Sequence, residues 1–451
     1  MGGRVTNLRV RRRFTSPRKT GSSRSSTKAI LLSPGSFRME KVDTLVIGAG
    51  LVGSSLAMHL ARLGASGVRV IDFDLEGSLS SSELNAGGVR ATFSQPVNIE
   101  CSKLSIEYFA KIPEESGYRA CGYLWLHGPE RFARAQAEHK LQTQMGWPVE
   151  VLDRAGITAR FPFIDRTEDL AGAMFAPRDG LVNPNLLKMH FRQEGRAAGA
   201  VFEDRRLVRA VEIVDSAANG GYRYRIACER YPSILSVEDK IQVLSGQPTA
   251  AGERVEYLAK QVVNCAGAWA GEIAKLLKYP HVTKAVRRQV CIFDCRDIDL
   301  SPYGMVVDNS GVYFHPEATN GLAGFANHQE PEGFNYAYDG ESFFMDIIWP
   351  ALFERSSKFE RLKHLTGWSG LYEVSPDESA IIGAVELGEA GRVGGCFEAH
   401  SFSGHGAMHS YAAGLALAEK MLRGRYETLD LHPLRGARFE SGDLVREGAV
   451  I

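Results

Sequence analysis

Short apolar runs alternate along the chain with segments whose apolar positions recur every three to four residues, and the first such pair is the sharpest. Thr44 to Ile47 reads as a strand, Leu51 to Leu63 as a helix with Leu56, Ala57, Leu60, Ala61 and Leu63 on one side, and Val68 to Ile71 as a second strand. Gly48, Gly50 and Gly53 fill the turn between strand and helix, and Asp72 closes the second strand. A polar loop with glycines then runs from Ser78 to Gln95, and much of Glu100 to Arg160 reads as polar helix. A helix is expected from near Pro184 to Gly199, because proline favours helix starts and glycine follows helix ends. The runs LVRAVEIV, YRYRIAC and KIQVLS read as strands, followed by a turn region at SGQPTAAGE. VEYLAKQVV predicts a strand that enters the small-residue turn Cys265-Ala266-Gly267-Ala268 and a helix from Trp269. Antiparallel strands fill Ala285 to Asn327 with a hairpin at DNSG, a helix follows near Gly340 to Arg355, and another covers Ala407 to Met421. Internal repeats are absent from this pattern.

The order strand, glycine turn, helix, strand, acid carries chemistry. Gly48 permits a tight turn, Gly50 lets the backbone approach a pyrophosphate, and Gly53 lets the helix lie close to the sheet. Leu51 and Val52 open a helix whose free N–H groups and positive dipole end face the diphosphate. Asp72 is placed to accept hydrogen bonds from ribose hydroxyls, whereas Asp74 and Glu76 read as solvated loop charges. In the loop that follows, Ser82, Gly88 and Arg90 are candidates to meet a phosphate or a flat ring. Ala266, Gly267 and Trp269 offer a second close approach to the dinucleotide. This fingerprint alone does not choose between FAD and NAD.

The 451 residues, 44% hydrophobic, exceed one ordinary domain, so two interleaved domains are expected. Residues 1 to 38 contain ten Lys or Arg and no acid, which leaves 43 basic against 53 acidic side chains in the rest. The basic segment is rich in Arg, Ser, Gly and Pro and is expected to be disordered. It reads either as an extension before a start at Met39 or as an organelle transit peptide. The expected location is cytoplasmic, or the mitochondrial matrix under the transit-peptide reading. The mildly acidic body gives nucleic acid no broad footprint, and no run reaches the roughly 18 apolar residues of a membrane span. Seven scattered cysteines in apolar surroundings predict buried, reduced thiols. Cys291 and Cys295 lack a second ligand pair, so no metal site is expected.

Taken with NAGGVR at Asn85 to Arg90, VNCAGAWA at Val263 to Ala270, RRQV at Arg287 to Val290, WSGLYEVSPDESAIIG and SFSGHGAMHS at Ser401 to Ser410, the fingerprint resembles the D-amino-acid oxidase superfamily of FAD enzymes. The last three motifs resemble the branch of sarcosine oxidases and dehydrogenases, dimethylglycine dehydrogenase and glycine oxidase. The resemblance implies FAD, and an α/β fold in which a Rossmann-type FAD-binding domain is interleaved with an antiparallel-sheet substrate domain. The FAD-binding domain is expected at 42–120, 175–220, 255–280 and 365–430, and the substrate domain at 121–174, 221–254 and 281–364. Gly404, His405 and Gly406 are expected against the flavin, with the dipole of the following helix stabilising negative charge on its pyrimidine edge.

The departures from that branch are informative. The position of the cysteine that tethers FAD in monomeric sarcosine oxidases is Gly370, which implies non-covalent FAD. The positions of their carboxylate-binding lysine and arginine are Met408 and Phe93. No Lys or Arg occurs from Asp297 to Glu354, where the resemblance places a lysine that speeds oxygen reduction. This favours a dehydrogenase that delivers electrons to a carrier or quinone. The leading expectation is removal of hydride from the carbon next to nitrogen in an amino acid or secondary amine of the sarcosine or glycine type. His405, Met408, Tyr313 and His315 are the candidates to face the substrate, with Tyr372 beside them. A 2-hydroxy-acid dehydrogenase or oxidase of the same fold, and a flavoprotein assembly factor, are the alternatives.

Overall fold

The computed structural model describes residues 39–247, 252–387 and 393–448. The expectations for residues 1–38 lie outside the described residues, as do residues 248–251 of the SGQPTAAGE turn. Strand β1 (Met39–Ile47) leads through the glycine turn into helix α1 (Leu51–Arg62), and strand β2 (Val68–Ile71) follows. These two strands lie parallel at the centre of the first sheet. Strand Glu253–Asn264 flanks β1 in parallel on the other side and is itself flanked by Val393–His400 and then Ile381–Leu387. Residues distant in sequence thus build one dinucleotide-type sheet, as the interleaved domains require.

α1 packs on this sheet because its apolar stripe is matched by a second small-residue helix, Gly406–Arg423. A Cβ on Gly414 would lie 2.4 Å from the Ser55 hydroxyl and 2.8 Å from the Leu56 nitrogen, so the two helices touch backbone to backbone only with glycine there. Leu56, Leu60 and Leu417 are fully buried in that layer, each contributing roughly 1.5–3 kcal/mol. Helix α2 (Pro96–Phe109) packs on the first turns of Gly406–Arg423, where the Ser105 hydroxyl accepts from the Ala412 nitrogen at 3.1 Å.

The second sheet has the strand order Lys363–Val374, Lys284–Asp294, Asn320–Phe325, Val312–Glu317, Met305–Val307, Tyr123–His127, Gly172–Ala176, Glu150–Leu152. It is antiparallel except where Met305–Val307 runs parallel to Tyr123–His127. The expected DNSG hairpin is present, Gly311 donating to the Asp308 carbonyl at 2.9 Å. One face packs on the segment Glu341–Arg355, and the other looks toward the glycine turn.

Three expectations need correction. KIQVLS is not a strand; it lies in helix Val237–Leu244, whose Ser236 hydroxyl accepts from the Asp239 nitrogen at 3.1 Å. The capping sequence Ser236-Val-Glu-Asp239 was the helical signal, and the alternating apolar run masked it. Tyr224–Arg230, placed with the substrate domain, pairs with Glu253–Asn264 and Arg206–Ile213 in the first sheet. Lys363–Val374, placed largely with the FAD-binding domain, is the edge strand of the second sheet, paired along the whole of Lys284–Asp294. The seven cysteines are free, and all except Cys121 are buried. Among the described residues no helix is long and apolar enough to cross a membrane.

Burial of several histidines makes the fold acid-sensitive. His59 and His409 are held down to about 3, burial being the main cause, helped by Arg62 near His59 and by Arg90 near His409. The unfolded chain takes up these protons below pH about 6.5 and the folded one does not, so stability is full above that pH and is lost as pH falls toward 3. Each costs about 1.4 kcal/mol by pH 5.5. Asp179, raised to about 6 by burial, acts in the opposite sense and returns about 0.8 kcal/mol over the same interval. Urea midpoints at pH 7.5 and 5.5 should therefore fall on acidification, and less steeply in His59→Gln; equal midpoints for the unsubstituted protein contradict this.

Candidate active site

A cavity of about 490 Å³ runs between the two sheets. Its first half is the glycine turn. Gly48 has φ +103°, and a Cβ there would stand 2.2 Å from the Cys265 carbonyl oxygen. A Cβ on Gly53 would stand 2.0 Å from the Gly48 carbonyl oxygen. Both glycines therefore exist for close backbone contact, between strands at Gly48 and between helix and turn at Gly53. Gly50 differs, since a Cβ there meets only the Ser82 hydroxyl, at 3.1 Å, and the residue lines the cavity. The turn is pinned from behind by Arg192, which donates to the Ala49 carbonyl, to the Leu75 carbonyl at 2.5 Å and to the Ser54 hydroxyl at 3.3 Å. Nothing in the local pattern marked this arginine, which arrives from helix Pro184–Ala197.

At the end of β2, the Asp72 carboxylate accepts from the Ala49 nitrogen at 2.6 Å and the Asp74 nitrogen at 2.8 Å. Burial raises this carboxyl against those two hydrogen bonds. Asp74 is not a solvated loop charge. It accepts from the Ser78 nitrogen at 2.9 Å and hydroxyl at 2.6 Å, and pairs with Lys240 at 2.9 Å. Ser82 accepts from the Leu51 nitrogen at 3.0 Å, which ties the serine loop to the start of α1. Gly48, Gly50, Leu51, Val52, Asp72, Ser82, Gly88, Arg90, Ala266, Gly267, Trp269, Gly404, His405, Gly406, Met408 and Tyr313 all line the cavity, while Gly53 packs behind it.

The far end is built by the second sheet. Tyr123, Met305, Tyr313 and Tyr372 face the cavity there with Arg90 and Met408. Three glycines make room for the three rings: a Cβ on Gly88 would lie 1.9 Å from the Tyr123 hydroxyl, on Gly324 2.3 Å from that of Tyr313, and on Gly404 2.6 Å from the Tyr372 ring. Burial raises all three phenols, so they stay protonated. Arg90 is 1% exposed, 4.0 Å from the Phe93 ring centre and 5.0 Å from that of Trp125, and it donates to the Thr92 carbonyl at 2.7 Å. Its loop is held by Asp179, which accepts from the Ala91 nitrogen at 2.8 Å, the Thr92 hydroxyl at 2.9 Å and the Trp147 indole at 2.8 Å. Sequence reasoning missed Tyr123, Met305 and Asp179, since strand tyrosines and a turn aspartate carry no motif.

His405 ends the Gly-His-Gly turn at the start of helix Gly406–Arg423. Neither ring nitrogen has a hydrogen-bond partner among the described residues. Burial, with a contribution from Arg90, holds its imidazole well below the ordinary value, so the ring is neutral. His315 is a correction. It shares the strand face of Tyr313 but does not line the cavity: it is buried, with Nδ1 bonded to the Pro316 carbonyl at 2.8 Å and the Ala86 backbone packed against it. Gly370 does not line the cavity either; a Cβ there would meet that of Leu84 at 2.9 Å. The glycine cradle, the acid at the end of β2 and the unpartnered imidazole fit a flavin dinucleotide. The glycine turn and Ala266–Gly267 would hold its diphosphate, Asp72 its ribose, and the Gly404–Met408 turn its ring.

Comparison with known proteins agrees. The profile of FAD dependent oxidoreductases (DAO) matches residues 43–420. The chain is 28% identical to FAD-dependent oxidoreductase domain-containing protein 1 of Xenopus laevis, covering 92% of this chain and 86% of that one. It is 24% identical to mitochondrial dimethylglycine dehydrogenase of Mus musculus, covering 88% of this chain and 44% of that longer protein. The fold matches the crystal structure of L-proline dehydrogenase from P. horikoshii with a TM-score of 0.75 at 24% identity, over 90% of this chain and 100% of that one.

Proposed function

Because the chain belongs to the DAO family of FAD-dependent oxidoreductases, we propose that it oxidises the C–N bond of a carboxylate-bearing amine, an amino acid or secondary amine, and passes the electrons to a carrier or quinone. The observation that carries this reading is the convergence of Tyr123, Tyr313 and Tyr372 with Arg90 beside the His405–Met408 turn. Bound FAD supplies the two-electron acceptor. Three protonated phenols and a buried guanidinium are donors in the arrangement a carboxylate accepts. They stand in for the lysine and arginine that Met408 and Phe93 replace. Met305, Met408 and the tyrosine rings give the carbon skeleton an apolar seat and exclude water. The site disfavours a further positive charge beside Arg90, as the neutral His405 imidazole shows, so the substrate reacts as the free amine, its ammonium proton lost to water on entry. The imine product hydrolyses in water without a protein nucleophile. The names of the similar proline and dimethylglycine dehydrogenases support an amine substrate.

Delivery to a carrier is supported by the cations of the cavity. Its lysines, Lys240 and Lys275, come from helices Val237–Leu244 and Ala270–Leu277, not from the sheet that carries the tyrosines. An ammonium at the ring would stabilise a developing oxygen anion; the guanidinium there, Arg90, is taken in this reading by the substrate carboxylate. A 2-hydroxy acid of similar shape, its carboxylate held by the same phenols and guanidinium, is the second reading. The deciding experiment is an anaerobic titration of the purified protein with sarcosine, dimethylglycine, glycine, proline, D-amino acids and 2-hydroxyglutarate, followed by air. Bleaching of the flavin by an amine with slow recovery in air is the expected result. Fast recovery removes the dehydrogenase part, bleaching by the hydroxy acid alone replaces the substrate class, and no bleaching by any compound favours a non-enzymatic assembly role.

A further inference from the structure

Helix Val237–Leu244 is inserted between two strands of the first sheet, yet it lines the cavity through Lys240 and Leu244. Eight residues are too few to be helical alone in water, so this segment exists because it docks. Its inward side is Lys240, 5% exposed, and Val243, 1% exposed, whereas Glu238, Asp239 and Gln242 face out. The docking is polar and directed. Lys240 Nζ meets Asp74 Oδ2 at 2.9 Å and the Ser78 hydroxyl at 3.0 Å. The Asp74 nitrogen donates to Asp72, the acid at the end of β2. One lysine thus ties the inserted helix to Asp74, two residues past the ribose position, and to Ser78, the first serine of the loop that leads to Ser82.

We propose that this helix is a cover over the adenosine half of the FAD site, latched by Lys240 to Asp74, and that the latch sets how long FAD stays bound. The proposal rests on the placement of FAD with its ribose at Asp72. Lys240 and Leu244 share the cavity with Asp72, Phe73, Asp74 and Leu207, so FAD leaving past β2 has to displace the helix. Removal of the ammonium leaves the Asp74 carboxylate, 14% exposed at its side chain, without its cation, and the helix loses its directed contact with the sheet. Among the described residues no hydrogen bond or ion pair joins this helix to the ring end of the cavity, so turnover chemistry does not depend on the latch.

The test uses the holoenzyme. Flavin fluorescence after dilution gives the FAD release rate for the unsubstituted protein, Lys240→Met and Lys240→Arg. Lys240→Met is expected to release FAD at least tenfold faster, and Lys240→Arg, which keeps the ion pair, to stay near the original rate. Protein stripped of flavin and reconstituted with FMN adds a readout that a general loss of structure would not mimic. FMN lacks the adenosine, so its affinity should be the same in all three proteins. Equal FAD release rates overturn the proposal, and so does a matching loss of FAD and FMN affinity in Lys240→Met. A chain that carries no flavin at all removes the premise and overturns it as well. Failure of every amine to reduce the flavin would overturn the proposed reaction and leave these release rates as they are.

Discussion

Gly50→Ala should fold as the unsubstituted chain does and yet be purified nearly free of flavin, whereas Gly53→Ala should lose flavin and stability together. The two glycines lie three residues apart in one turn and look equivalent as letters, but an added methyl meets different things. At Gly53 it would lie 2.0 Å from the Gly48 carbonyl oxygen and 3.2 Å from the Cys265 side chain. Relief requires α1 to move away from the sheet, an overpacking cost of about 1–3 kcal/mol. At Gly50 the backbone φ is −64°, ordinary for any residue, and the methyl meets only the Ser82 hydroxyl at 3.1 Å. That methyl would project into the space the diphosphate needs and would cost at least tenfold in FAD affinity. Flavin absorbance per protein and a urea melt of the flavin-free forms measure both effects. A Gly50→Ala protein that retains full flavin would mean the diphosphate does not lie over this turn.

The largest stability effect is expected away from the cavity. Arg438 and Asp377 are 0% exposed at their side chains and form a two-pronged pair, with both contacts at 2.8 Å. Arg438 also donates to the Ser379 carbonyl at 2.9 Å and the Leu434 carbonyl at 2.7 Å, and Asp377 accepts from the Val445 nitrogen at 2.9 Å. Arg438→Met should cost about 3–5 kcal/mol, because it strands a buried carboxylate. Burial alone would raise the Asp377 carboxyl, but the hydrogen bonds from Arg438, Val445 and Ser375 outweigh it and hold it below the usual carboxylate value. Its contribution is therefore present at neutral pH and is lost as pH falls through that depressed value. Asp377→Leu combined with Arg438→Met should be milder than Arg438→Met alone, since no charge is left unpaired. Urea unfolding at pH 7.5 decides this, and a single-variant loss below 1 kcal/mol would contradict the assignment.

Asp377 also shows how a motif can mislead. WSGLYEVSPDESAIIG carries part of the family resemblance, and its tyrosine and glutamate, Tyr372 and Glu373, do line the cavity. Its aspartate, four positions on from Glu373, instead ties the connection between Lys363–Val374 and Ile381–Leu387 to the segment at Arg438–Val445. The same holds for the helix turn at His405 and His409. Both imidazoles are buried and lack partners among the described residues, but only His405 lines the cavity.

The sequence by itself determined the parts whose signals are local. A tight turn, a helix start and the end of a strand need particular residues at fixed short spacings, so Gly48, Gly50, Gly53, Asp72 and the Gly404–Gly406 turn were legible, and with them the family and its cofactor. Tertiary structure alone decided the parts assembled across long separations. Tyr123, Tyr313 and Tyr372 come from three strands and meet only because the second sheet brings those strands together. Arg192 reaches the glycine turn from 143 residues away, and Lys240 reaches Ser78 from 162. Such contacts have no periodicity. A strand tyrosine, a helix lysine or a buried arginine reads the same whether it packs, pairs or faces a ligand, until the fold determines what stands opposite.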